Sequence, residues 1–109
     1  MPVPPEHTTL FRALSDPTRR ALFERLSLEG ELTVHALTGP AGVSQPAVSK
    51  HLAVLKAAGL VRDRRDGRET RYGAQPKALG PLIDWMQHYG AFWNDRFDKL
   101  EGLLDRMDQ

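Results

Sequence analysis

The sequence predicts a mainly α-helical domain carrying one small β-hairpin. Three observations lead there. Apolar residues recur at steps of three and four in several stretches, each closed by Gly or Pro. One Asp66-Gly67 pair lies between two short runs that suit strands. From Leu82 to Met107 the three-and-four step continues without a stop. At 109 residues the chain suits one compact domain. It divides into a flexible tail over 1–7, a core over 8–75 and a long terminal helix over 76–109.

The elements follow in order. Three prolines in Met1 to His7 oppose a helix. Leu10, Phe11 and Leu14 stand at helical spacing in Thr8 to Leu14. Asp16-Pro17 restarts the chain, because a residue before proline avoids the helical region. Asp16 then caps a second helix with Pro17 in its first turn. Ala21, Leu22, Arg25, Leu26 and Leu28 continue that helix, and Glu29-Gly30 stops it. Leu32 to Leu37 predicts a third, short helix. Two glycines and a proline between Thr38 and Val43 predict a turn. Ser44 caps a fourth helix reaching about Ala58, with Val48, Leu52 and Leu55 inward and Gly59 ending it.

The hairpin spans Leu60 to Tyr72 around Asp66-Gly67. Its strands are so charged that it should project into solvent. The final helix starts near Pro81, a proline tolerable only in the first turn. Leu82, Met86, Tyr89, Trp93, Phe97, Leu100, Leu104 and Met107 form its apolar stripe. Gly90 interrupts it at a cost of about 1 kcal/mol relative to Ala and is a candidate kink.

Composition excludes several function classes. The net charge is only +1, so the chain is no polycation coating nucleic acid by bulk charge. Without Cys it has no disulfide, thiolate metal site or Cys nucleophile. No apolar run is long enough for a membrane span. The start lacks a basic-then-apolar signal design, so the cytoplasm is the expected compartment. No glycine-rich phosphate loop, metalloprotease histidine pair or serine elbow is present. Ser49 and His51 lie two apart on one helix and point to different sides. An enzyme is therefore not expected.

Charge placement is more informative. Ser44 to Tyr72 holds seven basic residues (Lys50, Lys56, Arg62, Arg64, Arg65, Arg68, Arg71) against three acidic ones, a balance of +4. Gly73 to Gln109 has four basic and six acidic residues, a balance of −2. Positive potential thus gathers on the fourth helix and the hairpin. Three helices, a capped helix after a turn and a basic hairpin are the layout of a winged helix-turn-helix. A helix fits the major groove of double-stranded DNA and reads base edges there. Ser44, Gln45, Pro46, Ser49 and Lys50 form the candidate reading face. Gln45 suits adenine, and Lys50 suits guanine or phosphate. His51 belongs to the same set, with packing beside the helix as its other reading. Arg64, Arg65 and Arg68 form the candidate wing contact, and a hairpin-tip arginine suits the minor groove. Arg19 and Arg20 are expected to brace the fold.

The stretch from Ser44-Gln45-Pro46-Ala47-Val48-Ser49-Lys50-His51-Leu52 to Gly59-Leu60-Val61 resembles the recognition helix of the ArsR/SmtB family of bacterial repressors. Leu14-Ser15-Asp16-Pro17-Thr18-Arg19-Arg20 resembles that family's second-helix entry, and Arg65-Asp66-Gly67-Arg68 its wing. The resemblance covers roughly Leu10 to Tyr72. It implies a homodimer that binds a palindromic operator in promoter DNA and associates through its terminal helices. Leu10, Leu14, Trp85, Tyr89, Trp93, Phe97, Leu100 and Leu104 are the expected interface. The family's metal sites do not carry over. Thr33 and His35 stand where its third-helix cysteines would be, and Ala36 replaces an acid. Asp84 and His88 lie one turn apart with no second histidine downstream. No cofactor is expected. Two alternatives stand beside the plain repressor. One is a sensor taking metal at Asp84 and His88, or an apolar effector in the aromatic groove of the last helix. The other is a winged-helix module that binds protein rather than DNA.

Overall fold

The structure, a computed structural model, describes residues 5–107. Helix α1 spans Pro5–Ser15 and α2 spans Pro17–Glu29, followed by a short strand β1 (Leu32–Thr33). Helices α3 (Val34–Ala41) and α4 (Gln45–Ala57) precede strands β2 (Val61–Asp66) and β3 (Glu69–Ala74). A 3-10 turn over Pro76–Leu79 leads into α5 (Gly80–Met107).

The expected flexible tail over 1–7 is corrected at residues 5–7. Residues 5–7 are already helical, since proline is tolerated in a first helical turn; residues 1–4 lie outside the described residues. Asp16 caps α2 as expected, its carboxylate accepting from the Arg19 N–H at 3.0 Å. Phe23 joins Leu22 and Leu26 in the core, whereas Leu28 is exposed.

The expected turn over Thr38 to Val43 is corrected. Helix α3 runs through Gly39 and Pro40 to Ala41. A proline at position 40 removes the N–H that would bond the Ala36 carbonyl. Arg25 of α2 supplies the missing donor, its Nη1 lying 2.9 Å from that carbonyl. The start of the expected third helix is corrected too. Leu32 and Thr33 form β1, pairing with Tyr72 and Arg71. Thr33 then caps α3 by accepting from the Ala36 N–H at 3.1 Å.

The three strands form an antiparallel sheet in the order β1-β3-β2. Asp66 pairs with Glu69, so the two turn residues are Gly67 and Arg68 rather than Asp66 and Gly67. Gly67 has φ of 63°, and among the described residues no non-glycine residue has positive φ. A turn with positive φ at its first central position alone needs glycine there, which sets this register.

Leu22, Leu26, Leu37, Val48, Leu52, Leu55, Leu60 and Val61 make the centre of the core, with Leu10 from α1 and Leu82 from α5 closing it. Beyond Trp85, which meets Phe11 of α1, α5 leaves the domain. It runs unbroken through Gly90 for 28 residues, about 42 Å at 1.5 Å per residue. The radius of gyration is 18.9 Å, against about 13 Å for a compact chain of this size. The excess is the projecting helix.

Candidate nucleic-acid interface

Helix α4 is built to show one face. Ser44 Oγ accepts from the Ala47 N–H at 3.3 Å, and Pro46 sits in the first turn. Val48, Leu52 and Leu55 are fully buried. At about 100° per residue, those three fix which side faces the core. Pro46, Ser49, Lys50, Ala53 and Val54 are left exposed on the other side. Val54, at 41% exposure, is an apolar group on the candidate reading face that the sequence reading passed over. Its spacing of four from Lys50 was the available signal.

The wing has two chemically distinct faces. Opposed residues of an antiparallel pair share a face, and successive residues alternate. Arg62, Arg64 and Asp66 share one face with Arg71 and Glu69. There Arg64 Nε lies 2.9 and 3.0 Å from the two carboxylate oxygens of Glu31, and its Nη2 lies 2.9 Å from Oε1. Arg62 reaches the same carboxylate at 3.7 Å, and Arg71 bonds Asp66 at 2.7 Å. Arg64, expected beside Arg65 and Arg68 as one contact set, thus lies on the opposite face from Arg65 and is engaged by an acid. Sequence reading missed Glu31 because it is 33 residues from Arg64.

The other face of the wing turns toward α4. Lys56 Nζ donates to Asp63 at 3.0 Å across that junction. Arg65 lies on this face opposite Thr70, its Nη1 3.4 Å from Thr70 Oγ1. Among the described residues neither Arg65 nor Arg68 has an acidic partner. Arg68, at the turn, lines one hollow with Gln45, His35, Thr33 and Thr70. The N-terminus of α4 and the tip of the wing therefore open onto the same groove. Lys50 stands exposed on α4. His51 is half-buried on the flank of α4 that meets α2, close to Arg19.

The Glu31 brace is sensitive to acid. Hydrogen bonding from Arg64 holds the Glu31 carboxyl below its ordinary value of 4.5; desolvation opposes this, and the charges of Arg64, Arg62 and Arg71 add to it. Arg71 likewise holds Asp66 below 3.8 by its hydrogen bond and charge. A carboxyl with a depressed folded value stabilises the fold above its unfolded value, and the stabilisation is lost as pH falls through the folded value. Glu31→Gln should therefore melt below the wild type at neutral pH. The gap should hold down to about pH 4.5 and close under stronger acid. Thermal midpoints of both proteins across pH check this, and a gap that widens under acid would contradict it.

A second surface lies on α1 and α5. Phe11 meets Trp85 edge-on at 5.4 Å, and Trp85 meets Tyr89 at 5.0 Å. Trp85, Met86, Tyr89, Phe92, Leu100, Leu103 and Leu104 remain 39–53% exposed. Leu10, expected at an intersubunit interface, is instead 3% exposed in the chain's own core, and Leu14 packs against that core. The side chains of Trp93 and Phe97 lie outside the described residues. Asp84 and His88 are exposed on α5, and among the described residues no three His, Asp or Glu groups gather as a metal site. No described helix is long and apolar enough to cross a membrane.

Comparison with known proteins adds four likenesses. A model of a helix-turn-helix domain family matches residues 14–64. The HTH-type transcriptional regulator Rv2034 of Mycobacterium tuberculosis is 49% identical over 87% of this chain and 85% of its own length. The solved ArsR-like transcriptional regulator from Rhodococcus sp. RHA1 is 33% identical, with a TM-score of 0.70 over 90% of this chain and 92% of that one. The homodimeric winged helix-turn-helix DNA-binding domain Mb0332 from Mycobacterium bovis, described as a possible ArsR-family regulator, is 26% identical. It has a TM-score of 0.63 over 79% of each chain.

Proposed function

The chain belongs to the ArsR/SmtB family of winged helix-turn-helix transcriptional repressors, and from that premise we propose that it acts as a homodimer on a palindromic promoter operator. Helix α4 enters the major groove, with Gln45, Ser49 and Lys50 facing base edges and nearby phosphates. Arg65 and Arg68 hold the flanking backbone or minor groove, while Arg64 and Arg62 fix the wing through Glu31. Repression is steric, by occupation of the promoter. The observation that carries this reading is the groove shared by Gln45 and Arg68. Recognition helix and wing address one ligand only if they open to the same side.

The two-fold partner follows from α5. Its exposed apolar residues continue far past the core, and such a stripe is stable in water when a second copy covers it. The homodimeric neighbour of the same fold supports this assembly. A two-fold dimer sets its recognition helices about 34 Å apart, one turn of DNA, or a multiple of that.

The test uses a duplex selected by the wild-type protein from a random-sequence pool. Gln45→Ala should cost about 1–3 kcal/mol on that duplex and relax the preference at one base pair per half-site. Mobility-shift titrations over single-base variants measure both. Unchanged affinity and unchanged preference would remove Gln45, and the assigned face of α4, from the interface.

A further inference from the structure

We propose that Arg19 is a positioning residue for DNA recognition, fixing the neutral His51 imidazole as the tautomer whose Nε2–H is offered to a backbone phosphate beside the major groove. The proposal rests on the reading that α4 meets DNA. Its ground is a three-way anchorage that ties the end of α1 to the recognition helix.

Arg19 lies in the first turn of α2. Its Nε donates to the Ala13 carbonyl at 2.7 Å, and its Nη2 donates to the Arg12 carbonyl at 3.0 Å. Both carbonyls belong to the last turn of α1, where acceptors lack a backbone partner within the helix; Ser15 Oγ also donates to that of Arg12, at 2.7 Å. The guanidinium is a planar fork of fixed geometry, so these two bonds set the direction of its remaining donors. Nη1 then falls 3.4 Å from His51 Nδ1 on α4.

The chemistry of that contact favours one arrangement. Arginine donates and does not accept, and it keeps its proton in proteins. Nδ1 must therefore accept. A neutral imidazole with an accepting Nδ1 carries its proton on Nε2. A protonated ring would set N–H against N–H and cation against cation. Among the described residues Nε2 has no hydrogen-bond partner, and His51 is half-exposed at the edge of the reading face. The edge position, flanking Lys50 and Val54 on the side away from the wing, suits the wall of the groove more than its floor. The donor is thus uncharged, aimed by a cation that never touches the ligand.

This separates His51 from the arginines of the wing. A lysine or arginine on a phosphate releases counterions, adding about 0.9 to the salt slope of binding. A neutral donor adds affinity and leaves the slope unchanged. A purely structural Arg19 predicts no change in the His51 tautomer on substitution.

The experiment has three readings on the full chain. First, nitrogen-15 imidazole spectra of free wild type should show His51 as the Nε2–H tautomer, and Arg19→Lys should shift it to a mixture, because lysine cannot span all three acceptors. Second, His51→Ala should weaken binding to the selected duplex on the order of tenfold, with an unchanged salt slope. Third, Arg19→Lys should weaken it comparably, and the double variant should be no weaker than His51→Ala alone. An Nδ1–H tautomer in wild type, a tautomer insensitive to Arg19→Lys, full affinity in His51→Ala, or additive losses in the double variant would each overturn the proposal. If Arg19→Lys does not fold, the wild-type spectrum and His51→Ala still decide. If the wild type shows the Nε2–H tautomer yet selects no duplex, the DNA reading of α4 has failed, and the phosphate role of His51 falls with it.

Discussion

Alanine at both Lys50 and Arg68 should reduce affinity for the selected duplex by about 2–6 kcal/mol, roughly thirtyfold to more than ten-thousandfold. The two positions act from different elements. Lys50 stands exposed on α4, and Arg68 lies at the wing turn beside Gln45. Neither has an acidic partner among the described residues, so neither loss is compensated by releasing an internal ion pair. Both side chains are solvent-exposed, and the variant should keep the melting temperature of the wild type. If each side chain meets phosphate, the slope of log affinity against log salt should fall by about 0.9 per residue removed, for each subunit bound. Binding as tight as that of the parent, at moderate salt, would show that this face does not meet DNA. The contrasting substitution is Arg64→Ala. It sits in the same basic hairpin, yet its charge is already paired with Glu31. Its effect should appear as a looser wing and a smaller loss of affinity than Arg68→Ala.

The second large effect concerns assembly. Leu100→Glu combined with Leu104→Glu should convert the proposed dimer to monomers in sedimentation experiments. Both leucines are 49% exposed in the isolated subunit and outside its core, so the helix-turn-helix unit should remain folded. Spaced by four, they lie on one side of α5, and two carboxylates there would have to be buried against a partner. Operator affinity should fall on the order of a hundredfold or more, because two half-sites would no longer be bound through one linked body. An unchanged dimer would move the interface away from the far half of α5.

Much of this architecture was legible because its signals are local. Asp16-Pro17 and Ser44 each cap a helix through their own neighbours, and the spacing of Val48, Leu52 and Leu55 names the buried side of α4 directly. What stayed hidden depends on residues distant in sequence. Pro40 reads as a stop until Arg25 is seen holding the Ala36 carbonyl from another helix. Leu32 and Thr33 read as helix until β3 arrives beside them from some forty residues on. Asp66-Gly67 reads as the turn pair because Asp-Gly suits a turn with two positive φ angles, whereas the hairpin uses only one, at Gly67, and turns one residue later. The seven basic residues of Ser44 to Tyr72 carry the same charge and look alike in sequence. Only the alternation of β2 and the position of Glu31 distinguish Arg64, a brace, from Arg65 and Arg68. Leu10 shows the same limit, since an apolar residue on a terminal helix serves the core and an interface equally well by pattern.

Selection of duplexes from a random-sequence pool by the wild-type protein, followed by sequencing, tests most directly whether a two-fold pair of α4 helices and wings reads DNA. The expected product is an inverted repeat whose half-site centres lie about 10 base pairs, or a multiple of that, apart. Failure to enrich any sequence, or enrichment of a single site without two-fold symmetry, would contradict it.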